Sequence, residues 1–232
     1  MKLLTTLVSA LALAFAQVPA VADSPGQGRT ARFEIEFMKL TIDHHYSALR
    51  MTELAAGTDM QRSPDIAASE GTAPTPGFGA TPAKATLDDL KSLARRNNRM
   101  QREEIMTMQR FLRDWYGVDH QPRLREDGRA AIAVLERTPA GAAFNRSFYE
   151  SFSRHHYMLL EPVNGCVTGT DLAHEDLRRE CNMAWHNQTA DIQMMRTELK
   201  KHFGIVDFQP FRGLDPLQPR DDGPRGGGQD NR

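Results

Sequence analysis

The chain of 232 residues carries 29 Lys and Arg against 30 Asp and Glu, a net charge of −1. That near-neutral balance, with no basic patch, gives no electrostatic basis for a nucleic-acid-binding function. Once both ends are discounted, about 175 residues remain, enough for one domain with its own core.

The N-terminus reads as an address rather than as structure. Met1-Lys2 is basic, Leu3 to Ala16 is almost wholly apolar, and Ala20-Val21-Ala22 is a small-x-small cleavage site. Residues 1–22 are therefore expected to be a secretory signal peptide, cut after Ala22. Its removal takes away Lys2 and no acid. No later apolar run approaches the roughly 20 residues a membrane helix needs, so the mature chain is expected to be periplasmic or secreted and without a membrane span. In an oxidising compartment Cys166 and Cys181 are expected to pair, which requires their Cα atoms to lie within about 7 Å.

A first helix is predicted from near Ala31 to Ala56. Phe33, Phe37, Leu40, His44, Ala48 and Met51 recur at three- and four-residue spacing, and Gly57 ends the run. Residues 57–85, rich in Gly, Pro, Ala, Ser and Thr, are expected to form a long surface loop. A second helix is predicted from Thr86, a candidate N-cap, with Asp88 and Asp89 in its first turn and Gly117 as its stop. A short helix over Glu126–Glu136 bridges to the second half. A third long helix is expected from Gly141 or Ala142 to about Glu161, ended by Pro162 and Gly165. A fourth is expected from near Asp171 to Phe203, stopped by Gly204. Residues 206–232, dominated by Pro, Gly and charge, are expected to be a disordered tail.

The chain repeats itself. His44-His45-Tyr46 recurs as His155-His156-Tyr157, 111 positions later. The same offset carries Phe33 onto Phe144, Phe37 onto Phe148 and Leu49 onto Leu160. A second string, Gln101-x-x-Glu104-Ile105-x-x-Met108, recurs as Gln188-x-x-Asp191-Ile192-x-x-Met195, 87 positions later. Each second string runs on to a glycine, Gly117 and Gly204. The difference between 111 and 87 is the 24 residues inserted in the first copy. Repeat one spans about residues 31–117 and repeat two about 142–204. A duplicated helical hairpin with nothing strand-like between its helices predicts an all-α, up-and-down four-helix bundle over residues 23–205.

The repeated residues carry the chemistry. Adjacent histidines on a helix point about 100° apart, so one of each pair faces the core and the other a neighbouring helix. Imidazole suits copper, zinc, iron and nickel, and thioether selects Cu(I). A single methionine is ordinarily core filler, and a single buried histidine is ordinarily a hydrogen-bonded core residue. Two identical His-His pairs are harder to explain that way, because burying four imidazoles leaves many polar nitrogens to satisfy. His44, His45, His155 and His156 are the candidate metal ligands, with Met51, Met108 and Met195 as helpers.

Phe37-x6-His44-His45-x-x-Ala48-x-x-Met51, followed by Gln101-x-x-Glu104-Ile105-x-x-Met108-x3-Leu112, resembles the family called domain of unknown function 305. The resemblance covers both halves, and the second keeps Phe148, His155-His156, Gln188, Ile192 and Met195. It implies an exported His/Met-rich helical protein of ferritin-like architecture, with the unit often duplicated and with several members linked to periplasmic copper handling. A copper ion is the cofactor or cargo so implied. Where the family usually has Met three residues before the first His, Thr41 and Phe152 stand here. Pro162 replaces the second copy's equivalent of Met51, so the second repeat is degenerate.

A di-iron enzyme of ferritin-like type needs Glu-x-x-His on two helices. No Glu in this chain has His three residues later. Cys-x-x-Cys-His, His-Glu-x-x-His, Gly-x-Ser-x-Gly and the phosphate loop are likewise missing from the sequence. The chain is thus expected to bind copper rather than to turn over a substrate. Two alternatives stand beside that reading: a helical module that has lost its metal and binds another envelope protein, and a bundle that holds haem through His and Met.

Overall fold

The computed structural model describes residues 26–58, 74–169 and 171–211. Residues 1–25, with the expected signal peptide, residues 59–73 of the long loop, residue 170 and residues 212–232 of the tail lie outside these described residues. Within them every regular element is helical: α1 (Gly28–Ala56), α2 (Asp88–Tyr116), α3 (Glu126–Arg137), α4 (Ala142–Asn164) and α5 (Glu175–Phe203), with a π-helical turn, Gly165–Gly169, after α4. The all-α expectation holds. No helix of the described residues is long and apolar enough to cross a membrane.

The four long helices pack so that neighbours run in opposite directions. On α1 and α2, Glu34 meets Tyr116 and His45 meets Glu104. On α4 and α5, His156 meets Asp191 and Cys166 is bonded to Cys181. His44 of α1 meets His155 of α4, and Arg96 of α2 pairs with Asp191 of α5. From Thr41 to Ala56 α1 is buried at every position but Tyr46. It is enclosed by α2, α4 and α3, so its single predicted apolar stripe understates its burial. Two apolar clusters fill the interior. One gathers Met51, Leu54, Leu90, Leu93, Phe148 and Met195, and the other gathers Phe37, Ile42, Met108, Leu112, Leu159 and the cysteine pair. Along each long helix the repeated polar residues lie between the two.

The repeat is visible as reciprocal contacts. Glu34 Oε1 accepts the Ala173 N–H at 2.6 Å, and Asn145 Oδ1 accepts the Thr86 N–H at 3.0 Å. Offsets of 111 and 87 carry Glu34 onto Asn145 and Thr86 onto Ala173, so each half ties down the entry to the other half's second helix. Gly117 and Gly204, also equivalent, close α2 and α5 in the left-handed conformation with φ of 64° and 67°. The next N–H in each case, Val118 and Ile205, reaches back to Leu112 and Leu199. The disulfide joins residues equivalent to Ala55 and Ala94, which are themselves fully buried. Its Cα atoms are 6.1 Å apart, within the range a bridge requires.

Three boundaries differ from expectation. Thr86 does not cap α2: the helix starts at Asp88 after Leu87, and Thr86 is engaged by Asn145 through both its N–H and its hydroxyl. Pro162 lies inside α4 rather than ending it. Proline removes one helical bond but leaves the following turns free to form, and here the chain runs on to Asn164 and then widens into the π turn. α5 begins at Glu175, not near Asp171, because Glu34 takes the Ala173 and His174 N–H groups just ahead of it. Within the sequence assigned to the tail, Phe208 packs partly buried on the apolar cluster, and Phe211 lies 5.6 Å from the Tyr157 ring of α4.

Glu34 is fully buried and accepts four donors: the Ala173 and His174 N–H groups, His174 Nδ1 and the Tyr116 hydroxyl. Removing one partner of a buried charged network costs about 3–5 kcal/mol, against about 1 kcal/mol for a neutral hydrogen bond. Urea denaturation is expected to show Glu34→Ala losing several times the stability lost by Asn145→Ala. Equal losses would contradict the assigned asymmetry of the two caps.

Candidate functional site

The four repeated histidines all lie in the interior, each at 6 % exposure or less. His44 and His155 meet across α1 and α4, with ring centroids 3.7 Å apart and ring planes tilted by 32°. Each reaches into the other's helix: His44 Nε2 is 2.9 Å from the His155 carbonyl, and His155 Nε2 is 3.2 Å from the His44 carbonyl. Ser47 joins the contact. Its hydroxyl donates to the His44 carbonyl at 2.7 Å and accepts from His155 Nε2 at 2.8 Å. α3 presses on this point, since a Cβ on Gly128 would come within 2.6 Å of Ser47 Cβ.

His45 and His156 turn outward, to α2 and α5. His45 Nε2 lies 2.6 Å from Glu104 Oε2. His156 Nε2 lies 3.4 Å from Asp191 Oδ2 and 3.3 Å from Asn97 Oδ1. The offsets carry His45 onto His156 and Glu104 onto Asp191, so the two histidine–carboxylate pairs are one interaction made twice.

These partners settle the tautomers. Carbonyl oxygens accept only, and the Ser47 proton is already committed, so Nε2 is the donor in His44, His155 and His156, whereas His45 Nε2 lies against Glu104 without hydrogen-bond geometry. The Nδ1 atoms of all four rings are buried and have no hydrogen-bond partner. For His44, burial and then the neighbouring His155 ring hold the pKa well below the usual histidine value; for His155, burial and then His156 do the same. Both rings are therefore neutral at pH 7, with a free lone pair on Nδ1. An imidazole anchored through one nitrogen to a carboxylate or carbonyl, with the other nitrogen free, is the arrangement metal-binding histidines use.

The structure brings together the four predicted histidines but not the three predicted methionines. Met51 and Met195 lie in one apolar cluster and Met108 in the other, each at 2 % exposure or less. Among the described residues no three His, Cys, Asp or Glu side chains gather into a metal-holding group. The sequence reading missed Ser47 and Asn97 as histidine partners and placed Glu104 and Asp191 only within the repeated Gln-led strings. The matched spacing of His45 with Glu104 and of His156 with Asp191 was the signal for their pairing.

Residues 79–199, more than half of the chain, match the family described as a domain of unknown function (DUF305). The chain belongs to this family. The matched stretch runs from just ahead of α2 to near the end of α5 and so holds both carboxylates and the second His-His pair. Among solved structures, the chain is similar to one described as CopM in the Cu(I)-bound form. The TM-score is 0.53 at 19 % identity, over 74 % of this chain and 98 % of that one. At that identity the likeness is one of fold. No curated protein sequence matches.

The depressed pKa values of His44 and His155 give a pH dependence of known sign. In the unfolded chain these rings take up protons below about pH 6.5, whereas in the folded protein they stay neutral. Their contribution is fully present above that pH and is lost as pH falls through the window between unfolded and folded values. Thermal melts from pH 8 to pH 5 are expected to show stability declining below about pH 6.5. The decline should be smaller in His44→Gln/His155→Gln, whose side chains do not titrate. A variant melting curve with the same pH profile as the wild type would remove these two rings as the cause.

Proposed function

We propose that this is a periplasmic or secreted copper-binding protein that sequesters copper or passes it on, acting by binding and not by turnover. The observation that carries the reading is the set of four buried imidazoles whose Nδ1 atoms have no hydrogen-bond partner, three of them hydrogen-bonded through Nε2. Such nitrogens suit copper, and a polar layer left with open lone pairs inside an apolar core costs stability unless it serves a ligand. Membership in the DUF305 family and a fold like that of a Cu(I)-bound chain support the same reading. In it, residues 1–22 direct export. The two helical hairpins form an up-and-down, ferritin-like four-helix bundle with His44, His45, His155 and His156 as its central donors. Met51, Met108 and Met195 are thioethers to either side of that layer. Copper is the cargo.

A second reading follows from the same geometry. Three of the four rings are hydrogen-bonded through Nε2, His45 Nε2 lies 2.6 Å from Glu104, and the three methionines sit in apolar clusters, which suits a packing lock in a helical module that binds an envelope protein. Metal analysis separates the two. The mature chain, residues 23–232, purified from a periplasm grown with added copper, is expected to carry at least one equivalent. His44→Ala/His155→Ala is expected to have lost the copper of the histidine layer. Copper absent from the wild type would leave the partner-binding module.

A further inference from the structure

The two halves differ where α2 meets α5. Arg96 Nη2 lies 2.6 Å from Asp191 Oδ1, and one turn on Asn187 Nδ2 donates to Met100 Sδ at 3.1 Å. From the first contact to the second, α2 advances four residues while α5 retreats four. The next turn in that register sets Glu104 beside Met183. An electrostatic interaction of Glu104 with Glu180, on the adjoining turn of α5, agrees with this register.

The 87-residue offset carries Arg96 onto Met183, Met100 onto Asn187 and Glu104 onto Asp191. The contact therefore has its own twofold relation, centred on Met100 and Asn187. On one side a histidine–carboxylate pair, His156 and Asp191, is completed by a guanidinium. On the other, the equivalent pair, His45 and Glu104, has a methionine in the guanidinium's place. Asp191 is thus supplied with a cation by the chain itself. Glu104 is nearly as buried, at 9 % exposure against 4 %, and Met183, which this register sets beside it, is 49 % exposed. Glu180 adds negative charge beside it, partly offset by Arg110 and Arg179.

We infer that the Glu104–Met183 rung is a binding site for a soft monovalent cation, seated where the Arg96 guanidinium sits in the other half. Glu104 supplies the charged oxygen and is held by His45, and the Met183 sulfur makes the site selective for a soft ion. The Met100 sulfur, one turn away, is a further soft donor. Arg96 closes the equivalent position in the second half, so the chain has one such site and not two. The inference rests on the copper reading above and adds a solvent-facing site outside the histidine layer.

The test is a Cu(I) titration of the mature chain against a chromogenic chelator, with folding checked by circular dichroism. Met183→Arg copies the Arg96 contact into the first half and is expected to fold, to lose one equivalent and to keep the copper of the histidine layer. Met183→Ala is expected to bind that equivalent about tenfold more weakly or worse, and serves if the arginine variant fails to fold. Arg96→Met is expected to gain one equivalent. His44→Ala/His155→Ala is expected to keep the equivalent that Met183→Arg loses. Both Met183 variants binding as the wild type does, while the histidine variant loses all copper, would overturn the rung site and leave the histidine layer standing. Loss of all copper in Met183→Arg with none lost in the histidine variant would support the rung and remove the layer. A wild type that binds no Cu(I) would overturn both.

Discussion

The structure depends on one contact at its centre. His44 and His155 meet at 3.7 Å and each donates into the other's helix backbone. A contact in which residue i meets j and the repeat equivalents of each meet in return is the signature of a twofold interface, here made within one chain. The outer pairs, His45 with Glu104 and His156 with Asp191, follow from it, because fixing one histidine of each doublet inward turns its neighbour toward the flanking helix. The distant caps at Glu34 and Asn145 obey the same relation. Neutrality of the central rings is part of the design, since two imidazolium rings could not meet at that distance in the interior without strong mutual repulsion.

Most of the fold was legible in the sequence. The His-His-Tyr doublets and the two Gln-led strings located four long helices and their pairing, and Gly117 and Gly204 marked two of the stops correctly. The entries to α2 and α5 were not legible, because what sets them is a side chain from the other half of the chain: Asn145 for one and Glu34 for the other. No local capping pattern records such a contact. Pro162 misled for the opposite reason, a local rule outweighed by the burial of Val163 and Cys166 beyond it. At the candidate site, the histidines were evident from repetition, whereas Ser47 and Asn97 carry no signal until α1, α2 and α4 are placed together.

The two copies have diverged in chemistry more than in shape. The second copy holds the disulfide where the first has two alanines, and its Asp191 receives the Arg96 cation. It has also lost the thioether equivalent to Met51. These changes leave the second half tied and electrostatically closed, and they leave the donors that soft ions prefer in and beside the first.

The central claim is that His44, His155 and His156 are anchored at Nε2 and open at Nδ1. Long-range proton–nitrogen correlation spectra of the histidine rings test it directly, on the mature chain at pH 7 before and after Cu(I) is added. The predicted result is Nε2–H tautomers for His44, His155 and His156 in the free protein, with their Nδ1 resonances displaced by copper. Rings protonated on Nδ1 in the free protein, or Nδ1 resonances indifferent to copper, would contradict it.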